Sequence, residues 1–150
     1  MRFHGRDLRK GRVSLPGHVY LLTAATLYRR PLFREWTSAL ALARELHLAG
    51  QSDAVEPLAW VVMPDHLHWL IRLRSGSLEQ LMQSLKSRSA IAINLGRSAG
   101  GPVWQKGYHD RAVRQEEDLR AMARYVVANP LRAGLVERIG DHPFWNAAWL

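Results

Sequence analysis

The chain contains no cysteine, which excludes a disulfide framework and a thiolate metal site; any metal would have to be held by His, Asn, Asp or Glu. No apolar run approaches the length that a bilayer requires. Lysine is scarce: of the 21 basic residues only 3 are Lys and 18 are Arg, set against 13 acidic residues for a formal charge of +8. Internal repeats, low-complexity tracts and long linkers are also missing, and only Gly96 to Gly101 has a flexible composition. The opening residues MRFHGRDLRKGR are basic with no apolar stretch behind them, which argues against a secretory leader. The expectation is a soluble, cytoplasmic, nucleoid-associated protein.

What is present points towards an anionic partner. Guanidinium forks match phosphate oxygens two at a time and stack on flat rings, so an excess made almost wholly of Arg favours nucleic acid. A solvated basic surface is the plain alternative. With 150 residues and 47% hydrophobic content, the chain suits one domain with a real core. Residues 1–12 form a basic arm, in which Arg6, Arg9, Lys10 and Arg12 are the first candidates for DNA binding, and residues 13–150 form a single domain.

Hydrophobic periodicity predicts the elements. A strand is expected from His18 to Thr26, and a helix carries Trp36, Ala39, Leu40, Ala43 and Leu46 on one face before Gly50. Leu58 to Met63 and His66 to Leu73 read as a hairpin turning at Pro64-Asp65. Ser77 and Gln80 resemble a capping box, followed by a helical stripe of Leu78, Leu81, Met82 and Leu85. Tyr108 to Arg114 suits a fourth short strand, and Glu116, Glu117 and Asp118 put negative charge in the first turn of a last helix. The order defines an α+β, ferredoxin-like split βαβ sandwich with an additional C-terminal helix carrying Tyr125. Two crossover helices would cover one sheet face and leave the other for function. Fold alone assigns no activity.

Two pairs of residues carry chemistry. His66 and His68 alternate along a strand and so share a face. Such a pair is as often a surface or packing feature as a metal site. In the last helix Leu119, Met122, Ala123, Val126 and Val127 make the buried stripe. At roughly 100° per residue, Tyr125 lies about 130° from the centre of that stripe, with Asn129 about 90° away on the same side. Taken alone, the helix favours a half-exposed tyrosine with a solvated hydroxyl at Tyr125, and Pro130 restricts Asn129, for which a distorted last turn is expected. Together the four side chains could surround one cation and one phosphate. A cation neutralises a phosphodiester oxygen, and an activated tyrosine conserves the bond energy in a covalent link. Asp110 is expected to form an ion pair with Arg111 or Arg114, and Trp69 to pack in the core. Tyr108 and His109 could contact DNA or close a loop.

Five blocks in order, LPGHVYLLTAAT, VVMPDHLHWL, LKSRSA, VWQKGYHDRAVR and YVVANPLRAGLV, resemble the REP-associated tyrosine transposases of the single-tyrosine HUH group. The resemblance runs from about residue 11 to the terminal FWNAAWL. It implies that His66 and His68 bind magnesium or manganese with Asn129 as third ligand. It also implies that Tyr125 is the nucleophile, and that the substrate is single-stranded DNA beside REP-type hairpins, cleaved and rejoined through a 5′-phosphotyrosine. Asp65 departs from the Asn or Glu common in relatives at that place, as an outer-sphere residue or simply a turn residue. The resemblance leaves monomer and homodimer open. The rival readings are a non-catalytic ferredoxin-like nucleic-acid binder and a metal-dependent hydrolase with a water nucleophile.

Overall fold

The computed structural model describes residues 14–114, 116–138 and 142–148, so the basic arm at 1–12 lies outside the described residues. Strand β1 (Val19–Ala25) leads through two short 3-10 turns to helix α1 (Trp36–Gly50). The hairpin β2 (Val55–Met63) and β3 (His66–Leu73) follows, then helix α2 (Leu78–Arg97) and strand β4 (His109–Val113). Helix α3 (Glu116–Val127), the short helix α4 (Asn129–Arg132) and strand β5 (Trp145–Ala147) complete the order. The strands form one antiparallel sheet in the order β4-β1-β3-β2-β5, which is the expected ferredoxin-like arrangement with a fifth strand added at the β2 edge. Three residues without alternation are too little for a sequence pattern to reveal β5.

Alternation within the strands builds two cores. Tyr20, Leu22, Ala24, Val62, Leu67, Trp69, Ile71 and Leu73 face α1 and α2, where Leu42, Leu46, Met82, Leu85 and Ile93 meet them. Trp69 is fully buried there, as its place directly after His68, on the alternate face of the strand, requires. The opposite face carries a smaller cluster in which Val61, Met63 and Leu70 pack against Leu119, Ala123, Val126 and Val127 of α3. The second face is therefore only half open. The last helix covers part of it, because a 3.6-residue apolar stripe cannot remain in water.

Local chemistry sets the element ends. Ser77 caps α2 by accepting from the Gln80 N–H at 3.1 Å. Gly50 ends α1 where any Cβ would lie 2.9 Å from the Pro57 ring, so its small size is a packing need. Pro57 falls in β2, and the ladder with β3 shifts register between Pro57 and Ala59, since proline donates no hydrogen bond. No helix among the described residues is long and apolar enough to cross a membrane.

Leu70 is fully buried beneath α3, so Leu70→Ala should cost about 2–5 kcal/mol of stability in urea unfolding. A loss below about 1 kcal/mol would show that α3 does not seal this face.

Candidate active site

His66 and His68 sit in the central strand β3, on the face that α3 partly covers. In register, His68 lies between Thr23 of β1 and Val61 of β2, and His66 lies between Ala25 and Met63. The two imidazoles meet edge to face with ring centroids 4.8 Å apart. Each has its Nδ1 engaged from outside. The His66 Nδ1 is 2.7 Å from the Asp65 carboxylate, and the His68 Nδ1 is 2.9 Å from the Thr23 hydroxyl. A carboxylate only accepts, so His66 donates from Nδ1, and in the neutral ring the lone pair is then on Nε2. Metal-binding histidines are commonly oriented in this way by a partner on the other ring nitrogen.

The electrostatics keep the second ring neutral. Burial lowers the His68 pKa, and the positive fields of His66, Arg132 and Arg29 add to it, bringing it from 6.5 to about 4. A neutral imidazole retains a nitrogen lone pair for a cation. For Asp65, burial raises the pKa, but hydrogen bonding and charge from His66 together with Arg29 outweigh it and hold the carboxyl below its ordinary value. Arg29 reaches this carboxylate through Nε at 3.0 Å, so Asp65 joins Arg29 to His66. Asp65 thus acts as more than a turn residue.

Tyr125 is just over half exposed, as expected for a residue off the apolar stripe of α3. The Arg132 guanidinium lies 3.7 Å from the centre of its ring, a cation–π contact. The helical path from Tyr125 to Asn129 is not continuous. Helix α3 stops at Val127, and Asn129 starts α4 with Pro130 in its first turn. Pro130 has no N–H to continue the ladder, while Arg132 still donates to the Ala128 carbonyl at 3.0 Å. Asn129 is half-buried at this break. Arg132 touches the Tyr125 ring and its charge acts on His68, and the described hydrogen bonds include none from Asn129 to either imidazole.

No group of three or more His, Cys, Asp or Glu suited to a metal occurs among the described residues. The two imidazole Nε2 atoms fit a cation whose remaining ligands are oxygens from an amide, water or phosphate. Arg6, Arg9, Lys10 and Arg12 lie outside the described residues. Tyr108 is buried in the core, and with Asp110 it lines a groove that contains none of His66, His68 and Tyr125. His109 is exposed on β4.

Thr23, Arg29 and Arg132 are the site residues that sequence reasoning missed. Arg132 had a usable signal, since it is seven residues from Tyr125 and three from Asn129, both same-face helical spacings. Thr23 had none, because it meets His68 only through strand register.

Residues 15–129 match the family described as IS200-like transposases. The chain belongs to that family. A relative from Escherichia coli strain K12, a REP-associated tyrosine transposase, is 30% identical over 88 residues, covering 57% of this chain and 50% of that protein. The chain thus spans about half the length of this curated relative. The solved structure of a REP-associated tyrosine transposase bound to a REP hairpin is similar in fold, with TM-score 0.72 and 23% identity over 89% of this chain and 79% of that one. A second solved structure, of a Deinococcus radiodurans protein, has TM-score 0.56 and 24% identity over 77% of this chain and 93% of that one.

The neutral His68 has a consequence for stability. Its folded pKa of about 4 lies below the ordinary 6.5, so the unfolded chain binds the proton more readily between those values. In metal-free protein its contribution should be complete above about pH 6.5 and fade as the pH falls through 4. Thermal unfolding of the wild type and His68→Gln in chelator, compared across that range, checks this. Equal pH slopes for the two proteins would contradict it.

Proposed function

We propose that the chain cleaves and rejoins single-stranded DNA beside REP-type hairpins, with Tyr125 as nucleophile and His66, His68 and Asn129 as ligands of magnesium or manganese. The observation that carries this reading is the pair of imidazoles whose Nδ1 atoms are held by Asp65 and Thr23, together with Arg132, which stacks on the Tyr125 ring and whose charge also acts on His68. Family membership supports the reaction class. The DNA hairpin in the similar solved structure supports the substrate.

When bound, the cation would withdraw charge from a non-bridging phosphate oxygen and polarise phosphorus. The Tyr125 oxygen attacks that phosphorus, the bond to the preceding 3′ oxygen breaks, and the phenol proton is accounted for on the released 3′-hydroxyl. The 5′ phosphate remains on Tyr125. Attack by a 3′-hydroxyl on this phosphotyrosine reverses the step and rejoins DNA without a nucleotide cofactor. Arg132 supplies fixed positive charge where the phenol oxygen and phosphate carry developing negative charge. Asp65 and Thr23 orient the imidazoles.

Tyr125→Phe keeps the ring and its cation–π partner while removing the attacking oxygen. It should bind hairpin DNA nearly as the wild type does yet yield no cleaved strand and no protein–DNA adduct on a denaturing gel. Comparable cleavage by Tyr125→Phe, or an adduct mapped to Tyr20, Tyr28 or Tyr108, would overturn the assignment. A non-catalytic binder would give no adduct with the wild type either.

Alanine at His66 or His68, or addition of chelator, should abolish cleavage and leave most hairpin affinity, because phosphate-holding arginines lie elsewhere. Full cleavage in chelator would exclude the metal. The arm contributes Arg6, Arg9, Lys10 and Arg12 to the DNA backbone in this proposal. Deleting residues 1–12 should weaken hairpin binding and flatten its salt dependence more than it slows a saturated reaction. An unchanged salt slope would remove the arm from the interface.

A further inference from the structure

The loop after β1 contains an uncommon backbone feature beside the histidines. Tyr28 and Arg29 are consecutive non-glycine residues with φ of 57° and 55°, in the left-handed region that side chains disfavour. Such a conformation persists only where its surroundings over-determine it. Here they do. Thr26 is fully buried; its N–H donates to the Asp65 carbonyl at 2.9 Å, and its hydroxyl lies 2.7 Å from the Arg30 carbonyl and 3.1 Å from that of Asp65. Leu27 donates to Val103, Arg30 reaches the Pro102 carbonyl, and Phe33 donates to Pro64. The loop is clamped on both sides of the strained pair.

The clamp has two results. Arg29 is brought against Asp65, the carboxylate that holds His66, and its guanidinium has no other partner among the described residues. Tyr28 is left 85% exposed, the most exposed of the large hydrophobic side chains described. A fold gains no core contact by holding a tyrosine in strained backbone and in water. Flat exposed aromatic rings next to guanidinium groups are what single-stranded nucleic acids bind, by base stacking and phosphate contact.

We infer that Tyr28 is a stacking platform for one unpaired nucleobase flanking the cleavage site, with Arg29 taking the adjoining phosphate. This rests on the DNA reading above. It adds a binding residue in the loop that holds Asp65, and it needs no sequence-specific hydrogen bond, because every base offers a stacking face.

The test uses the full chain with Tyr125→Phe in chelator, so that only equilibrium binding is read. Two oligonucleotides serve as probes: a REP hairpin with single-stranded flanks, and the same hairpin without them. Tyr28→Leu should lower affinity for the flanked probe about tenfold, the scale of one lost base stack, and leave the unflanked probe unchanged. Tyr28→Trp should retain the flanked affinity. With 2-aminopurine placed in turn at each flanking position, one position should be quenched by the parent protein and released in Tyr28→Leu. Tyr28→Gly relieves the positive φ, so its melting temperature should be unchanged or raised while its flanked affinity falls as in Tyr28→Leu. Equal affinities of parent and Tyr28→Leu for the flanked probe, or a matching loss on both probes, would overturn the inference. So would a Tyr28→Gly protein that melts lower, since Tyr28 would then serve the fold. Failure of the parent to bind either probe would instead overturn the DNA reading itself.

Discussion

The register of β3 between β1 and β2 is the constraint on which the site depends. Side chains alternate faces along a strand, so a one-residue slip would bury both imidazoles beneath α1 and α2 and send Leu67 and Trp69 into the site. The cost of exposing that buried Trp, Leu and Ile set is what holds the register. Thr23 beside His68 follows from the same pairing. The apolar core therefore fixes the polar arrangement beside it.

The second organising effect is electrostatic. Arg29 and Arg132 come from opposite ends of the chain, yet both depress the pKa of His68. Positive potential at His68 discourages its protonation and suits an anionic substrate, so one charge distribution serves both needs. Asp65 is the local exception, balanced between His66 and Arg29. Arg132 links that field to the ring of Tyr125.

Blocks of sequence distant from the site turn out to be its scaffold. Lys86 of α2 donates to the carbonyls of Gln105 and Gly107, and the Trp104 indole donates to the buried Ser89 hydroxyl at 3.0 Å. Trp104 in turn bridges to Thr26, which fastens Asp65. A chain of contacts thus runs from the second crossover helix to the residue that orients His66. This explains in physical terms why segments without obvious chemistry accompany the histidine and tyrosine blocks.

Much of this was legible in the chain itself. Alternation placed His66 and His68 on one face and Trp69 on the other, the capping residues set the start of α2, and the helical stripe left Tyr125 outside the core. The ferredoxin-like class followed from the element order. Local periodicity, however, reports only which residues share a face, and it cannot say what faces them. The half-covering of the second sheet face by α3, the break before Asn129, the three-residue β5 and the strained Tyr28-Arg29 turn all arise from packing between segments far apart in sequence. Thr23, Arg29 and Arg132 became neighbours of the histidines only through strand register and helix docking. Sequence by itself determined the two faces and the reactive residue types; tertiary structure decided their partners, because those contacts depend on long-range pairing that no local pattern encodes.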